Sequence, residues 1–137
     1  MSSSVPASLA RRVRDRADDR CEYCRISQSG QEATFHIDHI TPRRAGGATM
    51  LDNLALACVS CSLRKGARSH APDPEHGDEV RLFHPRQDRW GEHFGIGQDF
   101  RLLGLSAVGR ATINLLQMNR PIAIAIRCEE AAQGRFP

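Results

Sequence analysis

The sequence predicts a small α+β protein that is stabilised by a bound metal ion. Four of its five cysteines form two Cys-x-x-Cys pairs, and short strand-like runs alternate with helical patterns along 137 residues. This length fits one domain, or one domain with a helical extension, and the 40% apolar fraction supports only a small core. Small cores often depend on a metal ion or on disulfides.

The chain is predicted to begin with a helix over residues 6–20. Pro6 suits a first helical turn, and Leu9, Val13 and Ala17 recur every four residues on one face. No apolar secretion signal precedes this helix, and no apolar run approaches the roughly 18 residues of a membrane span. We therefore expect a cytoplasmic protein without a membrane segment, whose cysteines stay reduced and are free to bind metal.

A β-hairpin is predicted between the two cysteine pairs. Residues 33–40, ATFHIDHI, have strand composition and end at Pro42 and a glycine-rich loop. Residues 53–57, NLALA, form a second apolar run of strand length. A short helix is expected to start after Cys61 and to end near Gly66.

The C-terminal half is predicted to contain less regular structure and then two helices. Ser106 is suited to cap a helix that extends to about Met118. Asn119 is suited to cap a second helix, with Pro121 in its first turn and Gly134 beyond its end. Before these helices we expect an exposed loop at 68–79, an irregular segment at 80–97 and a strand at 99–105.

The cysteine pairs predict one structural zinc site. In each pair the short turn brings two thiolates to the same side, so Cys21, Cys24, Cys58 and Cys61 can complete a closed tetrahedron. Four thiolates leave no open position for a substrate, so the ion would supply folding energy rather than chemistry. The alternative is four unrelated buried or redox thiols, and a thioredoxin-like motif explains one pair only. Cys128 is expected to be a buried free thiol.

The segment HIDHI, residues 36–40, has two interpretations. It is either a buried strand that must satisfy three polar side chains or a site for metal binding and proton transfer. Asp38 offers a hard oxygen ligand for a divalent ion, and His39 offers a base for activating water. His36 lies two residues before Asp38 and would therefore point to the same face of a strand.

The ordered motifs resemble a known family. The order Cys-x-x-Cys, Asp-His-Ile-x-Pro, Gly-Gly, Asn-Leu, Cys-x-x-Cys and Lys, from Cys21 to Lys65, is similar to the HNH endonucleases. The resemblance implies a ββα-metal, treble-clef-like core with a zinc-binding scaffold. It divides the chain into an N-terminal helix at 1–20, an HNH core at 21–70 and a C-terminal extension with two helices at 71–137, both packed on the core.

The resemblance also implies roles for individual residues. Asp38 would bind a catalytic divalent ion such as Mg²⁺ or Mn²⁺, His39 would be the general base, and Asn53 would hold the hairpin loop. The position after the last cysteine normally carries a second metal ligand, Asn or His, and here it is Ser62. A serine hydroxyl is a weaker ligand, so Ser62 either binds the ion, holds a water or impairs the site. His36 is a possible substitute ligand.

Nucleic acid is the expected partner. The chain has a net charge of +3, and Arg43, Arg44, Arg64 and Lys65 would bind the phosphates of duplex DNA, although any one of them could equally belong to a solvated basic face. The sequence thus predicts an HNH-type metal-dependent endonuclease or nickase that acts on DNA. The alternative is a non-catalytic, zinc-stabilised DNA-binding module whose site is degraded at Ser62. Sequence-specific targeting would need the C-terminal region or a protein partner, and the oligomeric state stays open.

Overall fold

The computed structural model describes residues 5–136, which form five helices and three two-stranded antiparallel sheets. This is the α+β fold that the sequence predicts. The helices are α1 (Ala7–Arg16), α2 (Val59–Lys65), α3 (Trp90–His93), α4 (Ala107–Leu116) and α5 (Pro121–Ala132). The strands are β1 (His36–His39), β2 (Leu54–Ala57), β3 (His70–Pro72), β4 (Glu79–Arg81), β5 (Phe94–Ile96) and β6 (Leu102–Gly104).

The predicted hairpin is formed by β1 and β2, and α2 packs against both strands. His36 pairs with Ala57 at one end of the hairpin, and every residue of β2 is buried. The helix begins earlier than predicted, because Cys58 caps it: its Sγ accepts a hydrogen bond from the backbone N–H of Cys61 at 3.4 Å. The last cysteine of the second pair therefore lies inside α2.

The N-terminal helix is shorter than predicted. Its last helical residue is Arg16, and Asp18 and Asp19 both adopt positive φ, 55° and 54°, which turns the chain back toward the first cysteine pair. Val13 is fully buried and anchors α1. Residues 1–4 of the predicted N-terminal segment, 1–20, lie outside the described residues.

One hydrophobic cluster extends through all three predicted segments. It includes Val13 from α1, Leu54 from β2, and Phe94 and Leu116 from the C-terminal extension. The boundaries at residues 20 and 70 stay predictions, and the segments on either side of each boundary contribute to one shared core. Residue 137 lies outside the described residues.

The segment predicted as an exposed loop, 68–79, contains β3 and the first residue of β4. These strands pair in antiparallel register through three residue pairs. At the turn between them, Asp73 is almost fully buried and its carboxylate accepts hydrogen bonds from Arg110 on α4, at 3.0 and 2.8 Å. Most of the segment is exposed, as predicted, but it is not a loop throughout, because strand pairing and a partner far away in the sequence hold it in a hairpin.

The two C-terminal helices are present, with a different boundary between them. Gln117 adopts positive φ and ends α4 before Met118. Arg120, not Asn119, directly precedes α5. The Asn119 side chain instead accepts a hydrogen bond from Leu102 N and donates one to Leu102 O, at 2.7 and 2.9 Å, so it ties this junction to β6.

Helix α5 is fixed to the first cysteine pair by a buried arginine. The Arg127 side chain is fully buried and donates to the carbonyls of Cys24 and Phe100, at 3.2 and 2.9 Å, and to that of Met118. Cys128 on the same helix is an exposed free thiol, contrary to the expectation that it is buried. The helix therefore positions the metal-binding segment through Arg127 and leaves its cysteine in solvent.

Candidate functional site

The four paired cysteines lie together at the junction of the first cysteine turn and α2. All four Sγ atoms lie within 4.8 Å of one another, and those of Cys24 and Cys58 are 3.7 Å apart. A tetrahedral zinc ion with Zn–S bonds of about 2.3 Å has sulfur–sulfur edges of about 3.8 Å. The thiols are buried and form no disulfide. Their number, chemistry and spacing fit one structural zinc ion.

The electrostatics of these sulfurs favour a bound cation. Burial raises the pKa of the Cys21 thiol well above its ordinary value, while hydrogen bonds from neighbouring thiols, Cys21 first, lower that of Cys58. Without a cation, additional thiolates would repel one another in a region closed to water. Ionisation of all four sulfurs therefore depends on the metal ion.

Asp38 lies on β1 with a carboxylate that is largely shielded from solvent. Its side chain is 8% exposed, and Oδ2 accepts a hydrogen bond from the Tyr23 hydroxyl at 3.0 Å. The Lys65 ammonium lies 3.2 Å from Oδ2. Burial raises the pKa of the Asp38 carboxyl, whereas Lys65 and Tyr23 lower it. The two partners therefore favour an ionised carboxylate at a position where burial opposes it.

Lys65 is not available for the phosphate contact that the sequence suggested. It is the last residue of α2, only 1% of its side chain is exposed, and Nζ also donates to the carbonyl of His39 at 3.0 Å. We correct its assignment: Lys65 is a buried partner of the β1 site and does not belong to the exposed basic residues. Its place in α2, where every fourth residue returns to one face, directs it toward β1.

His39 ends β1 and is half-buried. Its Nε2 lies 2.9 Å from Oγ1 of Thr49 in the loop that connects the two strands. Burial lowers the pKa of the His39 imidazole, and the positive charges of Arg43 and Lys65 lower it further. Both effects favour the neutral form of the imidazole, and one of its ring nitrogens is held in place.

Asn53 closes the loop that carries Thr49. Its Oδ1 accepts from Thr41 N at 2.8 Å, and its Nδ2 donates to the carbonyls of Thr41 and Ala48 at 3.0 and 2.9 Å. Gly47 is required at the same place, because a Cβ there would lie 1.8 Å from the Thr41 carbonyl oxygen. These contacts fix the loop against the end of β1, which is the position that the sequence interpretation gave to Asn53.

His36 and Ser62 face each other across β1 and α2. The Nδ1 of His36 lies 2.8 Å from the Ser62 Oγ. Both residues line a groove of about 540 Å³, which we call the β1–α2 groove, and Asp38 and His39 line it as well. The structure therefore brings these four predicted residues together, with the His36 imidazole directly beside the serine hydroxyl.

The exposed arginines lie around this groove. Arg43 and Arg44, in the short 3-10 turn after Pro42, line the β1–α2 groove itself. Arg64 lies on the exposed side of α2, where its Nε donates to the Ser60 Oγ at 3.2 Å. Three of the four predicted phosphate-binding residues are thus exposed, and two of them, Arg43 and Arg44, line the groove that contains Asp38 and His39.

Comparison with family models gives a match at residues 21–68, to the family described as HNH endonuclease. This segment is an HNH domain. It covers about a third of the chain and contains the four cysteines and every residue placed above in the β1–α2 groove. The HNH domain indicates a nuclease or DNA-binding function in general terms. No curated protein and no solved structure matched the chain.

Two further residues of the HNH domain contact the site and were not among the predicted site residues. Tyr23 lies between the first two cysteines and donates to Asp38, and Thr49 contacts His39. Neither residue carried a signal of its own, because both contacts depend on how the chain folds back on β1.

Among residues 5–136, every helix is too short or too polar to cross a lipid bilayer.

Proposed function

We propose that this chain is a metal-dependent endonuclease or nickase that hydrolyses phosphodiester bonds in DNA. The observation that carries this proposal is the β1–α2 groove, which is lined by both Asp38 and His39, the latter an imidazole with a lowered pKa. Hydrolysis of a phosphodiester needs a base for the attacking water and positive charge at the phosphate. The groove offers a base, a ligand for a cation and neighbouring arginines.

His39 is the proposed general base. If the Thr49 hydroxyl accepts a hydrogen bond from Nε2–H, the lone pair of the imidazole resides on Nδ1. This nitrogen would remove the proton from a water molecule in line with the phosphate. The Asn53 contacts, by holding the loop that carries Thr49, would keep the ring in one orientation.

Asp38 is the proposed ligand for a catalytic divalent ion. His36 or Ser62, together with water molecules, would provide the remaining ligands of that ion. A carboxylate has about four acceptor positions, so the contacts with Tyr23 and Lys65 leave room for a further partner. When bound, Mg²⁺ or Mn²⁺ would stabilise the negative charge that develops on the phosphate. The hydrogen bond from Tyr23 would hold the carboxylate in a fixed direction.

The proposed substrate is duplex DNA. Arg43, Arg44 and Arg64 would contact its phosphates, and such contacts give affinity and salt dependence without reading sequence. Sequence-specific targeting would need the C-terminal region or a protein partner. The reduced cysteines fit a cytoplasmic location.

A non-catalytic, zinc-stabilised DNA-binding module is the second candidate. Two observations favour it: the Ser62 hydroxyl is hydrogen-bonded to His36, and Asp38 already has a buried cationic partner in Lys65. In that case the lysine would neutralise the carboxylate permanently, and no divalent ion would bind there.

A plasmid nicking assay separates the two candidates. Zinc-loaded protein would be tested with Mg²⁺ or Mn²⁺ as wild type, as His39→Ala, and as a control in which the exposed His76 is replaced by alanine. Cleavage by wild type and by His76→Ala, lost in His39→Ala, rejects the module. DNA binding without cleavage under any divalent ion rejects the endonuclease.

A further inference from the structure

Leu63 is an exposed apolar side chain in the middle of the HNH domain. It lies on α2, and 70% of it is accessible to solvent, the largest exposed fraction among the bulky hydrophobic residues that the structure describes. A single exposed leucine is ordinary on a protein surface. The position of Leu63 is less ordinary, because this residue lines both the β1–α2 groove and a second groove.

The second groove, which we call the α2–α5 groove, has a volume of about 470 Å³. Its walls are mainly apolar, and its charged lining residues are Arg64 and Arg120, with no acidic side chain. The β1–α2 groove contains Arg43 and Arg44, and its one acidic residue is the Asp38 carboxylate already described. Leu63 therefore lies on a ridge between the two grooves, with Arg43 and Arg44 on one side and Arg64 and Arg120 on the other.

We propose that Leu63 inserts as a wedge into the minor groove of DNA, at a base step beside the phosphate that lies in the β1–α2 groove. The proposal rests on the proposed function in taking duplex DNA as the partner. Arginines on both sides of the ridge match the two phosphate backbones that border a DNA groove. Proteins that enter the minor groove insert apolar side chains such as leucine between base steps and partly unstack them.

The wedge would make the choice of cleavage site depend on how easily the DNA deforms. Pyrimidine–purine steps such as TA unstack easily, whereas A-tracts are stiff. The arginines bind every phosphate alike, so on this proposal Leu63 supplies the selectivity that they lack. A protein partner with an apolar surface is the competing occupant of the ridge, and in that case Leu63 would have no effect on DNA selectivity.

The test measures binding and base unstacking without cleavage. The full zinc-loaded chain, in a His39→Ala background, would be titrated with two duplexes that carry 2-aminopurine, one with a central TA step and one with an A-tract. We expect tighter binding to the TA duplex by at least about threefold, and a rise in 2-aminopurine fluorescence. Leu63→Ala should abolish both effects with the salt dependence of binding unchanged, and Leu63→Met should retain them.

Leu103→Ala is the matched control, because this leucine is also exposed, at 49%, and lies on β6 outside both grooves. If Leu63→Ala keeps the preference and the fluorescence change, the wedge is rejected while DNA binding stands. If the preference depends on Leu63 but the wild-type chain never cleaves, the wedge stands and the endonuclease fails. Absence of DNA binding by every variant overturns both proposals.

Discussion

The ammonium nitrogen of Lys65 lies 3.2 Å from Oδ2 of Asp38, in an ion pair that solvent hardly reaches. The two residues are 27 positions apart and meet because α2 packs on β1. Removing one member of such a pair leaves an uncompensated buried charge, and this costs more than the pair itself contributes. The pair therefore links the stability of the HNH domain to the charge of its central carboxylate.

Lys65→Met should destabilise the protein by about 3 kcal/mol at neutral pH. Burial already raises the pKa of Asp38, and loss of the lysine raises it further. A carboxyl whose pKa is raised in the folded state destabilises that state as pH rises, because it must lose its proton in the folded protein. The loss of folding stability in Lys65→Met should therefore be larger at pH 8 than at pH 5. Urea unfolding followed by circular dichroism would measure it. The double variant Lys65→Met/Asp38→Asn should recover part of the loss, and equal destabilisation at both pH values would contradict the prediction.

Loss of the zinc ion should unfold the core. Cys58→Ser removes one of four ligands, so we expect the variant to lose its bound zinc and most of its thermal stability. Zinc content by mass spectrometry and thermal unfolding would measure both effects. Cys128→Ser is the control, since this thiol is exposed and lies outside the cluster. Full zinc retention in Cys58→Ser would show that the four cysteines do not share one ion.

Gly47→Ala should disrupt the loop that positions His39. The added methyl group would lie 1.8 Å from the Thr41 carbonyl oxygen and 2.8 Å from Nδ2 of Asn53, and both are held by hydrogen bonds. We expect a loss of about 2 kcal/mol or more, together with a change in the His39 imidazole signal measured by NMR. Gly91→Ala is the control because no atom lies within 4 Å of its added Cβ. Equal stability of the two variants would mean that the loop adapts.

Ser62→Asn should increase divalent-ion-dependent cleavage if serine weakens the proposed catalytic site. An amide carbonyl reaches further than a hydroxyl and is a better oxygen ligand. We expect a gain of about tenfold in metal affinity, which cleavage rates at increasing Mn²⁺ concentration would measure. Ser60→Asn, a substitution on the same helix, should give no gain in metal affinity. A decrease in the cleavage rate of Ser62→Asn would instead show that the hydrogen bond between His36 and the serine hydroxyl is required.

The contact between Asp73 and Arg110 should make stability fall in acid. The Arg110 guanidinium holds the pKa of the Asp73 carboxyl at about 2, below about 3.9 in an unfolded chain. A depressed carboxyl pKa stabilises the folded state above the unfolded value and loses that effect as pH falls toward 2. The difference in melting temperature between wild type and Arg110→Gln should therefore be constant from pH 5 to 7 and shrink below pH 4. Arg101→Gln, at an exposed arginine, should show no such dependence.

Local sequence patterns predicted the parts of the fold that depend on near neighbours. Cysteine spacing identified the metal-binding cluster, and strand composition located β1 and β2 within a few residues. The motif order identified the HNH domain. The roles of Asp38, His39 and Asn53 in catalysis stay predictions.

Prediction failed where a distant residue decided the outcome. The acidic, proline-rich segment after α2 has the composition of a loop, yet Arg110 and strand pairing fold it into a hairpin. The exposure of Cys128 depends on how α5 rotates around the buried Arg127. Composition describes a segment by itself, and these outcomes depend on which surface the segment meets.

The amino-acid sequence specifies the chemical groups that this protein can use: four thiols for a metal ion, a carboxylate followed by an imidazole, and arginines nearby. Which of these groups act on one another depends on the tertiary structure. It buried Lys65 against Asp38, and it brought Thr49 to His39. The physical reason is that hydrogen bonds and ion pairs act only over a few ångströms, so partners separated by 10 to 27 residues are set by the packing of α2 and the loop on β1.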